Sequence, residues 1–253
     1  VGTSYRHLTI WDKGEVVELT PPHDVLGQVI GQYLPKTEAL REMMKKSYDI
    51  LSNHPINVER MKKGLNPANS IWFWGAGTRP ALAPFVEKTG HTGAMISAVD
   101  LLKGIAVGAD MKVVEVEGAN GGLDTNYEGK ADAAVEALLK DDLDFAYIHL
   151  EAPDEMGHQG SFERKVQAIE NLDKRIIKRV TEQLEAAGTD FRMLVLPDHP
   201  TPVAIRTHVS DPVPYMLYDS TNKQSHTWNY NEKEAQESGN YIDKGYTIIN
   251  HLF

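Results

Sequence analysis

The stretch F-A-Y-I-H-L-E-A-P-D-E-M-G-H, Phe145 to His158, passes from a run of apolar residues directly into carboxylates and a histidine. Its first six residues read as a buried strand. The next eight leave the core and place oxygen and imidazole donors at the strand's end. A chain that sets such ligands where a core strand stops is building a site there.

Working outward, the same rhythm recurs after Asn69. Short apolar strands are expected at S-I-W-F-W, G-A-M-I-S-A, K-V-V-E-V-E, F-A-Y-I-H-L and F-R-M-L-V-L, with a shorter one at P-Y-M-L-Y. Helical spacing fills the gaps at 84–89, 99–109, 128–140 and 161–187. Strands apolar on both faces alternating with helices predict an α/β fold, a three-layer α/β/α arrangement around a mostly parallel sheet. The region before it differs. Ser4 to Trp11 and Glu15 to Leu19 alternate as strands do around a turn at Asp12-Lys13-Gly14. Two helices follow, over 36–53 and 57–64. The expected division is therefore an α+β segment, 1–70, and an α/β core, 71–253. Gln224 to Asn240 reads as a polar surface loop.

Composition removes several classes of function. No run of about 18 apolar residues exists, so no spanning helix is expected. The net charge is −10 with Lys and Arg scattered, which argues against a nucleic-acid or anionic-membrane partner. Cysteine is absent. Disulfides and thiolate metal sites are thereby excluded, and a cytoplasmic address is expected. The chain opens with Val inside a strand-like pattern, which points to a piece of a longer polypeptide.

In open α/β sheets ligands gather beyond the carboxyl ends of the strands. Two expected strands end in suitable residues. One gives Asp154 and His158, a D-x-x-x-H spacing that one helical turn or a tight loop would bring together. The other, L-V-L-P-D-H-P-T-P, gives Asp198 and His199. A third element, T-H-V-S-D-P-V-P-Y, sets His208 ahead of another short strand in a loop stiffened by proline. Any one of these alone reads as a helix cap or a polar loop residue. Two aspartates and three histidines without a thiolate suit Zn²⁺ or Mn²⁺, and five ligands exceed what one open four-coordinate site takes. Two ions sharing a site is the sharper expectation, an arrangement suited to phosphoryl transfer.

In this order E-A-P-D-E-M-G-H, L-P-D-H-P-T-P and T-H-V-S-D-P-V-P resemble the metal motifs of the alkaline phosphatase superfamily, and specifically the archaeal-type cofactor-independent phosphoglycerate mutases. S-Y-R-H-L, P-P-H-D, W-F-W-G-A-G-T-R-P, I-S-A-V-D-L-L-K-G-I and L-D-T-N-Y-E-G-K extend the likeness over nearly the whole chain. The resemblance implies an alkaline phosphatase-like core carrying the remainder of an inserted cap domain at 1–70. It implies two divalent ions, Mn²⁺, Zn²⁺, Co²⁺ or Mg²⁺, one held by Asp154, His158 and His208 and the other by Asp198 and His199. The implied reaction interconverts 3-phosphoglycerate and 2-phosphoglycerate through a phosphoserine.

The family also uses an aspartate near its N-terminus and a nucleophilic serine, and neither has a counterpart here. Ser4 and Asp12 fall in the wrong part of the family order. The 253-residue chain alone is thus expected to lack mutase activity and to depend on the N-terminal remainder of the same polypeptide. A homoserine kinase-type or other small-alcohol phosphotransferase would carry similar metal motifs, and a non-catalytic metal-binding fragment is the remaining class.

Phosphate and carboxylate recognition calls for Arg forks or Lys point charges. Arg6, Arg79 and Lys103 sit in motifs that resemble the family's and are the substrate-binding candidates. His149, in mid-strand, reads as a core histidine or one that supports a ligand. His23 lies in a Pro-rich turn that could contact substrate. Glu151 and Glu155 flank Asp154 and could orient ligands. G-A-N-G-G-L at Gly118 lacks the Lys-Ser/Thr tail of a phosphate loop. Trp72 and Trp74 read as core aromatics.

Overall fold

The computed structural model describes residues 2–253 apart from Ser4, Tyr5, Leu26, Ser225 and His226, and omits the side chains of residues 2–6 and of His23. Backbone packing divides the chain into two units, Val1–Pro80 and Ala81–Phe253.

In the first unit β1 (Gly2–Thr3) pairs antiparallel with β2 (Arg6–His7). The turn expected at Asp12-Lys13-Gly14 forms, with the Gly14 N–H donating to the Trp11 carbonyl at 3.2 Å and Lys13 in the left-handed region at φ 54°. Its flanks do not pair among the described residues, so the expected strand at Glu15–Leu19 is corrected to irregular chain. Leu8, Ile10 and Val16 are exposed. Without an apolar layer beneath it, an isolated two-stranded ribbon is marginal in water.

Two helices follow. α1 (Glu38–Ser52) buries Leu40 and Met44, one turn apart on one face. α2 (Pro55–Lys62) starts on a proline, whose missing N–H costs nothing in the first turn. Within α2 Asn57 is buried; its amide nitrogen donates to the Leu51 and Ala68 carbonyls at 2.8 and 2.9 Å and its Oδ1 accepts the Ala68 N–H at 2.9 Å. The strand expected at S-I-W-F-W is absent, and residues 70–74 are irregular chain outside any ladder. Side chains anchor this segment instead. The Ile71 N–H donates to Ser47 Oγ at 3.0 Å, and the Trp72 indole donates to the Thr20 carbonyl at 2.7 Å.

The second unit carries the α/β pattern. α3 (Phe85–Thr89), β3 (Gly93–Ile96), α4 (Asp100–Gly108), β4 (Lys112–Val114), α5 (Tyr127–Leu139) and β5 (Phe145–Ile148) follow one another. The three strands form a parallel sheet in the order β4-β3-β5. Its register sets Ala94 against Lys112 on one side and Ala146 on the other. All four β3 residues are buried, as a central parallel strand requires. Ala134 and Ala137 of α5 lie against Ala94 and Ile96 of β3, small residues that bring the helix close to the sheet.

α6 (Ala152–His158) begins four residues after β5, and α7 (Phe162–Leu172) follows. The single helix expected over 161–187 proves to be α7, a π-helical turn at Asp173–Ile177, and α8 (Lys178–Ala186). Hydrophobic periodicity does not reveal such a turn, because it leaves the apolar face intact: Ala168, Ile176, Val180 and Leu184 still pack with Tyr127, Ala131 and Val135 of α5. Across this interface Arg175 and Arg179 make two-pronged pairs with Glu128 and Asp132, at 2.6 to 2.8 Å. β6 (Arg192–Val195) and β7 (Met216–Asp219) form a separate antiparallel pair, and α9 (Glu232–Glu237) lies in the stretch expected to be a loop. The protein is α/β, with a parallel sheet as the alternating sequence predicts.

Candidate metal centre

β5 delivers the first donors. Pro153 sits in the first turn of α6, where its missing N–H is tolerated, and the helix starts at once. Asp154 and His158 therefore stand four residues apart on one helical face, with His158 Nε2 3.2 Å from Asp154 Oδ2.

The loop after β6 supplies the rest. The Val209 N–H bonds the Pro200 carbonyl at 3.1 Å and closes residues 200–209 into a return. That closure brings His208 back beside His199, their ring centroids 3.7 Å apart. His208 Nε2 lies 3.3 Å from Asp154 Oδ1 and 3.1 Å from His158 Nε2. Within the same loop Arg206 adopts φ 61°, and its carbonyl oxygen meets His158 Nδ1 at 3.0 Å. A carbonyl only accepts, which assigns the imidazole proton to Nδ1 and leaves Nε2 with a lone pair toward Asp154 and His208.

Asp154, His158 and His208 thus offer three donor atoms within 4.8 Å of one another. Metal–ligand bonds of about 2.0–2.1 Å imply ligand separations of about 3.3 Å in a tetrahedral site. The two imidazole nitrogens stand 3.1 Å apart, and each meets its own oxygen of Asp154, His158 Nε2 facing Oδ2 at 3.2 Å and His208 Nε2 facing Oδ1 at 3.3 Å, pairwise spacings of that size. Two imidazole nitrogens and a carboxylate, without sulfur, are a donor set that fits a borderline divalent cation. His199 and Asp198 adjoin. His199 Nδ1 is 4.0 Å from Asp154 Oδ1, and its Nε2 is 3.4 Å from Asp198 Oδ2. All five expected metal residues therefore form one continuous cluster. Asp154 is the least exposed of the three converging side chains and His208, half exposed, opens to solvent.

Lys103, on α4, donates to both carboxylate oxygens of Glu115 at 2.9 and 2.7 Å. Arg79 belongs to the first unit. The Arg6 and His23 side chains, and Ser4 as a whole, lie outside the described residues. The G-A-N-G-G-L loop closes on itself, the Gly122 N–H donating to Asn120 Oδ1 at 2.7 Å and the Asn120 N–H to Thr125 Oγ1 at 3.0 Å.

Beneath the cluster His149 sits with Nδ1 3.2 Å from Ser97 Oγ, and burial pushes its pKa down. Three residues near the site were not singled out by sequence. Lys130 is almost completely buried on α5, reaching the His149 carbonyl at 3.2 Å; burial lowers its pKa while Glu151 opposes the shift. It falls on the same helical stripe as Tyr127, Ala131 and Ala134, a position where a charge stands out. Lys165 donates to the Thr201 carbonyl at 2.6 Å. Thr201, buried, donates to Asp154 Oδ1. Neither contact has a sequence signal, since both join segments far apart in the chain.

Oxygen and imidazole donors gathered at the strand ends of an α/β sheet define a metal-binding enzyme class, and the chain belongs to the metalloenzyme superfamily, whose family model matches residues 7–253. Within it, the chain is 48% identical over 243 residues to a 2,3-bisphosphoglycerate-independent phosphoglycerate mutase of Methanosarcina barkeri, covering 94% of this chain and 61% of that protein. It is 45% identical over 253 residues to a probable enzyme of the same name from Geobacter sulfurreducens, covering 98% and 63%. The chain thus spans a little over three-fifths of the length of these relatives. Among solved structures, a Pyrococcus horikoshii protein superposes with a TM-score of 0.67 at 33% identity, covering 79% of this chain and 51% of that one. The cofactor-independent phosphoglycerate mutase of Thermoplasma acidophilum shares the fold, with a TM-score of 0.51 at 23% identity over 94% and 58% of the two chains.

Proposed function

We propose that the full-length protein is a cofactor-independent phosphoglycerate mutase that interconverts 3-phosphoglycerate and 2-phosphoglycerate through a phosphoserine at a site for two divalent ions. The observation that carries this reading is the convergence of Asp154, His158 and His208 at 3.1–3.3 Å; the names of its relatives supply the substrate.

Asp154, His158 and His208 would hold one ion, and Asp198 with His199 would contribute to the other. A bound divalent ion polarises phosphoryl oxygens and favours the ionised form of a hydroxyl nucleophile. The chain's own residues prepare for that. The Arg206 carbonyl keeps His158 in the tautomer that can ligate. His208, half exposed, opens the cluster to solvent on that side. Arg6, Arg79 and Lys103 remain the candidates for holding substrate phosphate and carboxylate, and Lys103 would have to exchange Glu115 for the ligand. Residues 1–70 are read as the remainder of the substrate-covering cap, and they fall within the first unit, Val1–Pro80. A cytoplasmic, glycolytic role fits a cysteine-free acidic chain in which, among the described residues, no helix is long and apolar enough to cross a membrane.

The test is metal content together with turnover of 3-phosphoglycerate by the full-length protein. Two equivalents of ion and formation of 2-phosphoglycerate are expected. Two ions without turnover would retire the mutase reading and move the substrate to another small alcohol such as homoserine. No bound ion would retire the metal centre itself.

A further inference from the structure

Thr201 occupies a position that the metal reading does not use. It is 3% exposed, and its hydroxyl lies between the two sets of donors: Oγ1 donates to Asp154 Oδ1 and stands 3.3 Å from His199 Nδ1. A threonine hydroxyl has one proton and two lone pairs, and an ionised carboxylate can only accept. The proton therefore goes to Asp154, so the contact with His199 requires the imidazole to donate from Nδ1. That leaves His199 Nε2 with its lone pair on the side of Asp198.

The hydroxyl is itself held. Lys165 Nζ fixes the Thr201 carbonyl at 2.6 Å. On the other side Gly157 lets that carbonyl press against α6, because a Cβ at Gly157 would collide with it. Threonine, lysine and glycine together clamp the loop after β6 onto the helix after β5. The only side-chain group in the clamp that touches both donor sets is the Thr201 hydroxyl.

We propose that Thr201 is a positioning residue that couples the two ion sites, orienting the Asp154 carboxylate and setting the ligating tautomer of His199 with one hydroxyl. This rests on the metal-centre reading above. Partners that orient metal ligands in this way typically change ion affinity by about 10–100-fold when removed.

The experiment titrates Mn²⁺ into metal-free full-length protein by calorimetry and records the Co²⁺ absorption spectrum, for the native chain, Thr201→Val and Thr201→Ser. Thr201→Val keeps the shape and loses the hydroxyl; Thr201→Ser keeps the hydroxyl. Expected is a loss of about tenfold or more in affinity at both sites for Thr201→Val with an altered Co²⁺ spectrum, and near-native behaviour for Thr201→Ser. Should Thr201→Val not fold, Thr201→Ala removes the same hydroxyl at smaller volume and is compared with Thr201→Ser in the same way. Native binding with an unchanged Val or Ala variant overturns the positioning role and leaves the metal centre standing. Equal losses in Val and Ser variants also overturn it, since the hydroxyl would not be the cause. Absence of ions from the native protein overturns the metal reading, and this inference with it.

Discussion

The carbonyl oxygen of Arg206 and the Nδ1 of His158 meet at 3.0 Å, and it is the backbone of Arg206, not its guanidinium, that orients the imidazole. Arg206 sits at φ 61°, a conformation that glycine adopts without strain and proline cannot reach. Arg206→Gly is therefore expected to keep Mn²⁺ affinity within about threefold, whereas Arg206→Pro, which moves the carbonyl, is expected to lose about tenfold or more. Calorimetric titration decides the matter. Equal affinities for the two variants would show that the carbonyl does not orient His158.

Gly157 packs its bare Cα against the Thr201 carbonyl. Gly157→Ala inserts a methyl group where backbone stands and is expected to destabilise the fold by about 1–3 kcal/mol. The ordinary helix-propensity gain of alanine over glycine, about 1 kcal/mol, has the opposite sign. Chemical denaturation of the metal-free protein separates them: a stabilised variant would mean that the loop yields easily.

His149 gives the protein an acid-sensitive step. Burial depresses its pKa below the ordinary 6.5, so the folded state resists a proton that the unfolded chain accepts. Stability is then full above pH 6.5 and falls as pH drops from 6.5 through the depressed folded value. Thermal unfolding of the metal-free protein between pH 7 and pH 5 should show a steeper loss for the native chain than for His149→Gln. Parallel curves would assign the acid limb to other groups.

Bound ions should stabilise the second unit by mass action. At a hundredfold excess over Kd one site adds about 2.7 kcal/mol. Chelator treatment followed by Mn²⁺ is expected to lower and then restore the midpoint of unfolding, and Asp154→Asn should abolish the restoration. A midpoint indifferent to Mn²⁺ in the native protein would count against the site.

The partly exposed pairs Arg175–Glu128 and Arg179–Asp132 have good geometry but stand in water. Arg179→Met is expected to leave the denaturation midpoint nearly unchanged, measured by denaturant titration. A marked fall in the midpoint would show that the π turn depends on this pairing.

How far the sequence speaks depends on how local each feature is. Asp154 and His158 are legible because a four-residue spacing becomes one helical face as soon as a helix forms. The proximity of Asp198 and His199 to a strand end is legible for the same reason. His208 is legible as a loop histidine ahead of a short strand, whereas the way it reaches Asp154 and His158 is not, since that depends on a loop closed between Pro200 and Val209. Thr201 and Lys165 act through contacts between separate elements and leave no periodicity. S-I-W-F-W misleads because a short apolar run is equally consistent with a strand and with a segment tied down by its side chains, here by Ser47 and Thr20. The π turn is hidden because the apolar stripe continues through it. Lys130 could have been read, being the single charge on a buried helical face.

The indole of Trp72, bonded to the Thr20 carbonyl, belongs with Trp11 and Trp74 to the first unit, while Trp228 is the sole tryptophan of the second. Intrinsic emission from this protein is therefore weighted toward the segment that carries none of the five clustered ligands. A melting curve followed by tryptophan light alone would report chiefly on Val1–Pro80, so a second probe at the ion site is needed to follow the donors around Asp154.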